Sequence, residues 1–419
     1  MQLSAFGEKL SAGAGILSLM DDLGHAMAKG GTIMMGGGNP GHVPAVQEAL
    51  RSHLRRIADD GQAFRHLVGI YDPPQGDQAF LEALATLLRE QYGWQIGADN
   101  ICITNGSQGA FFLLFNILAG RMADGSYRKI MLPLAPEYIG YADLGIEHGM
   151  FVSVRPRIEV LDRPFFKYRV DFDQLKLDDA IGALCVSRPT NPTGNVLTDS
   201  EIRELARLAS EHQIPLIIDS AYGLPFPGMV YTEAEPVWNE QIILSLSLSK
   251  FGLPAARTGI VIGHPEIIKV LSGVNAVANL APGSFGAMLV TELIRSREIL
   301  RLSQEVIRPF YQQKMARALD ALEASFAGIP YRVHVPEGAF FLWLWFEGLP
   351  VSCREVYQRL KAKGVLIVSG DYFFPGLPDD WPHMRECIRL TYSQDEEDVR
   401  RGIAIIASEI RALMHQLQP

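Results

Sequence analysis

The chain has 419 residues, enough for more than one domain and a large buried core. A formal net charge of −9 without a basic run argues against nucleic acid or anionic membrane as a partner. Cys102, Cys185, Cys353 and Cys387 form no close pairs, so no metal site and no disulfide framework is expected, and a reducing, cytoplasmic setting fits.

Glu8 and Lys9 come early, with no apolar stretch of the secretory-signal kind. Residues 1–45 are mixed and contain GGGNPG at 36–41. That string matches G-x-G-x-x-G, but Pro40 lies inside it and no strand–turn–helix surrounds it. A tight loop near a site entrance is expected there rather than a dinucleotide fold. AVQEALRSHLRRIA and QAFLEALATLLREQYG have helical spacing, NICIT reads as a strand, and NGSQ leads into a helix GAFFLLFNILAG. KIMLPLAP, ALCVSRP, PLIIDS and IILSLSLS are short apolar strands, with the helix EIRELARLASEH between two of them. This alternation predicts an α/β layer structure with a mostly parallel sheet flanked by helices. Two uncharged runs, 101–120 and 270–291, are broken by Asn and Gly, and buried helices explain them better than a bilayer. After residue 305 come a long helical stretch, EGAFFLWLWFEG, CREVYQRLKAKG, VLIVSG, CIRLTYS and a helix from Glu396, the pattern of a smaller α+β domain. The expected division is a large domain over 46–305 and a small domain over 306–419 joined by the N-terminal segment 1–45.

Polar residues punctuate the ends of these strands, where ligands bind in an open α/β sheet. Gly106, Ser107 and Gln108 open a helix after NICIT, which suits a phosphate or an ordinary N-cap. Thr190-Asn191-Pro192-Thr193-Gly194 is a turn, and Asp219, followed by Ser220-Ala221-Tyr222, ends a strand. In QIILSLSLSK, Leu244, Leu246 and Leu248 alternate with Ser245, Ser247 and Ser249, which predicts one apolar face and one hydroxylated face. The strand delivers Lys250, with Arg257 just beyond. A lysine beside another cation titrates lower and becomes a better nucleophile, although a surface lysine closing a buried strand has the same pattern. Ser247 to Lys250 also matches the S-x-x-K of serine acyl-enzymes, but Arg257-Thr258-Gly259 lies too close to supply a separate K-T-G element.

TNGSQGA, PEYIGY, RPTNPTGN, IIDSAYG, SLSKFGLPAARTG, EGAFFLW and the Arg of IRLTYS occur in this order along nearly the whole chain. Together they resemble the fold-type-I aminotransferases (class I/II), which depend on pyridoxal 5′-phosphate (PLP). The resemblance implies that Lys250, 31 residues after Asp219, carries PLP as an imine and moves the substrate proton. Asp219 would face the pyridine nitrogen, and Asn191 and Tyr222 the phenolic oxygen. Tyr138 would stack on the ring, or is a plain core tyrosine. Gly106, Ser107, Gln108, Ser247 and Arg257 would hold the phosphate, joined by Tyr71 reaching across a homodimer with shared sites. Arg389, with Gly38 and Asn191, would clamp the substrate carboxylate. MMGGGNP, LAPEYIGYAD, YQRLKAKGVLIV and FFPGL are similar to a branch acting on small apolar amino acids. Valine or alanine as donor, and pyruvate or 2-oxoisovalerate as acceptor in a ping-pong reaction, are thus implied. The alternative is a β-eliminating lyase or an aminotransferase of different range, because reaction type depends on which Cα bond stands perpendicular to the ring.

Overall fold

A computed structural model describes residues 2–11, 21–22, 24 and 31–415. Its larger sheet runs, in order across the width, Ile101–Asn105, Thr258–Ile262, Ile242–Ser247, Leu216–Asp219, Ile181–Ser187 and Tyr127–Leu132. Gly120–Arg121 and Phe151–Ser153 both pair with the last of these. The pairings from Ile242–Ser247 to Phe151–Ser153 are parallel, whereas Thr258–Ile262 runs antiparallel to both its neighbours. Every residue of Ile181–Ser187 and of Ile242–Ser247 is buried. Successive residues enter two separate cores: Leu184, Leu216 and Leu244 pack on one face, and Cys185, Ile217 and Ile243 on the other. Helices therefore cover both faces, as unbroken apolar strands require. The serine face of SLSLS is as buried as the leucine face, with Ser245 and Ser247 almost without exposure.

Helix boundaries follow local chemistry. Asp77 caps Gln78–Tyr92 through the Phe80 N–H at 2.7 Å, and Gly93, in the left-handed region, ends it. Thr198 and Glu201 form a capping box that starts Asp199–Glu211.

The smaller sheet runs Val368–Ser369, Cys387–Thr391, Phe341–Trp345, Arg332–His334, Phe165–Arg169 and Arg157–Val160. Its last two strands form a hairpin drawn from the middle of the sequence, and Phe165 pairs with Val333 in parallel. VLIVSG is not one strand but two. Val365–Leu366 pairs with Ile33–Met34, and Val368–Ser369 with Cys387–Thr391. The bend between them leaves room for Gly36, where a Cβ would lie 2.7 Å from the Ile367 carbonyl oxygen. The glycine-rich segment is thereby seated over the strand that carries Arg389.

The run 270–291 departs from the expected buried helix. It forms parts of two helices, Pro265–Asn279 and Phe285–Arg295, and Val277 (91% exposed), Leu280 and Phe285 face solvent. The other run contains the helix Gly106–Leu118, whose Phe111, Leu114 and Phe115 are buried. Among the described residues, no helix is long and apolar enough to cross a membrane.

Candidate active site

Asn105, Ser187, Asp219 and Ser247 all lie at carboxyl ends of strands along one edge of the larger sheet. Because Thr258–Ile262 runs the other way, its first residues meet that same edge: Thr258 pairs with Asn105 and Gly259 with Ser247. Arg257 thus arrives beside the start of Gly106–Leu118. Its backbone adopts φ 47°, a left-handed conformation uncommon outside glycine. Its Nη1 donates to Pro254 O at 3.1 Å and to Ser249 Oγ at 3.4 Å. Two glycines make the close approach feasible. A Cβ on Gly106 (φ 81°) would sit 2.1 Å from Arg257 Nη2, and one on Gly259 would sit 2.6 Å from Ser107 N. A guanidinium, the first amides of a helix and the hydroxyls of Ser247 and Ser249 lie together in an arrangement that suits a doubly charged anion.

Asp219 lies deeper along the same edge, in one row with Ser187 and Ser245. Its Oδ2 accepts from the Tyr141 hydroxyl at 2.7 Å, and its Oδ1 from the Ala221 N–H at 2.9 Å. Burial pushes this carboxyl up from its usual range, while those two bonds and Lys250 pull it down.

Lys250 keeps a window to solvent, yet protein atoms crowd its amine. Nζ donates to Gly38 O at 2.6 Å and lies 5.2 Å and 5.6 Å from the ring centroids of Tyr222 and Phe340. Desolvation, then the like charges of Arg389 and Arg257, push it down to about 8, against the pull of Asp219. An appreciable fraction of neutral amine near pH 7 is what a nucleophile and proton carrier needs. The Lys250 amine is directed to the Gly38 carbonyl rather than to a serine hydroxyl, unlike the Ser–Lys pair of an acyl-enzyme.

Arg389 closes the far side. Nη1 donates to Asn191 Oδ1 and Nη2 to Gly36 O, each at 2.6 Å. Its guanidinium carbon lies 4.3 Å from the Phe341 ring centroid and 5.3 Å from that of Phe373. Burial lowers even this guanidinium to about 10, and its Nε is buried without a protein partner. A fixed cation with an unanswered donor is chemically suited to a carboxylate.

Tyr138 unites these groups: Asp219 raises its phenol, while Arg389 and Arg257 lower it, on top of the larger effect of burial. Gly38, Ser107, Tyr138, Asn191, Asp219, Tyr222, Ser247, Lys250, Arg257 and Arg389 thus belong to one region. Gly38 presents its carbonyl to Lys250, and Asn191 turns its own oxygen to Arg389. Tyr71 stands apart within the single chain, its side chain 80% exposed on the loop after Gly61–Gly69. The sequence suggested that the aromatic GAFFLWLWF strand, with Phe340 and Phe341, packs near a substrate side chain, but it assigned no role to Tyr141, Glu137, Ser187, Gly36 or Phe373. PEYIGY held one usable signal, since Tyr141 follows Tyr138 by three residues across a single turn.

The sequence profile of aminotransferases of class I and II matches residues 35–406. A valine–pyruvate aminotransferase of Escherichia coli K12 is 48% identical over 410 residues, covering 98% of each chain. The solved valine–pyruvate aminotransferase of Salmonella typhimurium LT2 superposes with a TM-score of 0.89 at 48% identity, over 96% of this chain and all of that one. A Psychrobacter arcticum protein assigned as an amino-acid aminotransferase superposes with a TM-score of 0.95 at 44% identity, covering 99% of both chains.

Proposed function

Since the chain belongs to the class I and II aminotransferases, we propose that it moves the amino group of a small apolar L-amino acid, valine or alanine, to pyruvate or 2-oxoisovalerate. The observation that carries this reading is the convergence of Lys250, Asp219 and Arg389 on one edge, with Arg389 Nε buried and unanswered. The donor set also fits PLP. The cradle that glycine leaves between Arg257 and the helix start suits its phosphate, and the buried carboxylate of Asp219 suits its pyridinium.

When bound, PLP supplies the electron sink that acidifies the substrate Cα–H. Asp219 would hold a proton on the pyridine nitrogen, its carboxylate kept in place by Tyr141 and the Ala221 N–H. Gly106, Ser107, Gln108, Ser247 and Arg257 would anchor the phosphate, and Tyr138 would cover the ring. The Asn191 amide and the Tyr222 hydroxyl would serve the phenolic oxygen. Lys250, low in pKa, takes the Cα proton and returns it on the other side of the reaction. Arg389, steadied by Asn191 and Gly36, binds the α-carboxylate. The aromatic wall of Tyr222, Phe340 and Phe341 suits an apolar side chain.

The working form is a homodimer that shares its sites. Phe64, Val68, Ile70 and Tyr71 are exposed around the Tyr71 loop, and Val277, Leu280 and Phe285 are exposed nearby in sequence to its anchor points. Asn275 Nδ2 donates to Pro74 O and Gly283 N–H to Asn105 Oδ1, which ties that second segment to the Tyr71 loop and to the phosphate end. A second copy seated here would bring Tyr71 to its phosphate. Four buried, unpaired cysteines suit a reducing cytoplasm.

Half-reaction rates with valine, alanine and aspartate test the substrate reading. An apolar pocket discriminates by only about 1–3 kcal/mol per methylene, so valine and alanine should overlap and aspartate should lag. Aspartate reacting fastest would overturn it.

A further inference from the structure

Glu137 is a carboxyl with no exposed surface, and the chemistry above leaves it without a task. It follows the strand Tyr127–Leu132, and its own N–H is tied to Phe373 O at 2.8 Å. Its Oε1 accepts from the Ser187 N–H at 2.7 Å, and its Oε2 accepts from the Tyr138 N–H at 3.2 Å and touches Ser187 Oγ. Ser187 Oγ lies 3.3 Å from the Tyr141 hydroxyl, which donates to Asp219 Oδ2 at 2.7 Å. An unbroken file of oxygen atoms therefore joins two buried carboxyls.

Two linked carboxylates in a desolvated place do not both ionise readily. Asp219 has Lys250 within electrostatic reach, whereas the ionisable neighbours acting on Glu137, Tyr141 and Cys185 are each other and Asp219, all neutral or negative. Burial, more than the like charge of Asp219, pushes Glu137 up to about 8 against three opposing hydrogen bonds. With a proton on Glu137, every donor in the file points one way: Glu137 O–H to Ser187, Ser187 O–H to Tyr141, Tyr141 O–H to Asp219. Each bond polarises the next. With Glu137 ionised, Ser187 turns its proton toward Glu137, and the Tyr141 oxygen loses its donor.

Resting on the proposed PLP chemistry, we propose that Glu137 is a positioning residue for amino transfer, a proton-bearing carboxyl that acts through Ser187 and Tyr141 to keep Asp219 ionised and aimed at the pyridine nitrogen. Infrared spectroscopy of the PLP-loaded enzyme at neutral pH should show a protonated-carboxyl C=O band that fades as pH rises past about 8 and is missing in Glu137→Gln. Glu137→Gln, neutral and still a donor to Ser187 but unable to accept the Tyr138 N–H at that same atom, should keep kcat clearly closer to wild type than a side chain with no donor. Glu137→Met, similar in size but without a donor, should lower kcat about tenfold with little change in the amino-acid KM. If Gln is as damaging as Met, Glu137 acts as an anion and the proposal fails. If the wild-type enzyme loads PLP but has no such titrating band, it fails without need of any variant. A chain that takes no PLP would overturn the reading of the whole site, and this one with it.

Discussion

Lys250, Ser247 and Arg257 lie within residues 247–257, whereas Arg389 is held by Asn191, 198 residues away, and by Gly36, 353 residues away. The first group hangs on two paired strands of one sheet, so its geometry is set by backbone ladders and a short loop. The second is assembled from three distant segments, two of them outside the larger sheet. The proposed cofactor end is thus built from a local stretch of chain, and the proposed carboxylate end depends on how the two sheets and the glycine-rich segment pack together. Loss of a side chain at the first end should abolish chemistry, and at the second it should abolish binding.

Replacing Lys250 by Ala should have the largest effect. A general acid–base group contributes about 10²–10⁴-fold, and the upper end is expected if, as proposed, the same amine also tethers the cofactor. In the apoenzyme, the sign of the Lys250 shift can be read directly. A lowered pKa means that neutral amine appears at lower pH, so its acylation should rise through about 8, whereas ordinary lysines titrate near about 10.4. An acylation midpoint like that of surface lysines would contradict the desolvated site. Arg389→Ala should come next, losing about 2–5 kcal/mol in kcat/KM for every amino acid alike while the cofactor's visible spectrum stays normal. A spectral change of the same size as the kinetic loss would mean that the two ends are not separable. The smallest of these three effects is expected at Tyr71→Phe, about 1.5–3 kcal/mol for one hydrogen bond to a charged group. Refolding Tyr71→Phe with Lys250→Ala chains sharpens the comparison. If only the cofactor end is completed across the dimer, one site of each mixed dimer carries no defect, and activity exceeds the sum of the two parents. Mixed dimers with no regained activity would place Tyr71 within its own subunit's site.

The local half was also the half that could be read from sequence. A period-two strand ending in lysine, an asparagine–glycine start to a helix and an aspartate at a strand end each have a local meaning, and the sheet did bring them together. In the carboxylate half only the glycine-rich stretch at 36–41, read as a tight loop near a site entrance, carried a local signal. Arg389 sits on a short strand whose alternation does not decide which face it takes, and only the resemblance singled it out. The antiparallel return of Thr258–Ile262 and the transfer of the 157–169 hairpin to the smaller sheet depend on long-range pairing, which periodicity does not encode. Glu137 was illegible for a different reason. A glutamate between proline and tyrosine reads as a solvated loop residue until the fold places it at zero exposure against Ser187.

The reversed strand Thr258–Ile262 also bears on the order in which the molecule comes into being. Every strand of the larger sheet lies before residue 263. In a chain growing from its N-terminus, the lysine, the phosphate cradle and Asp219 therefore all exist before Arg389 is synthesised. The loop between Ser247 and Thr258 is short enough to close in roughly 10–100 ns once its strands are present, while the arginine clamp must wait for the last strand to dock against a segment from the first tenth of the chain. The residues proposed for the phosphate are thus all present in the chain before the arginine proposed for the amino acid. The linear order of the chain sets which end can be completed last.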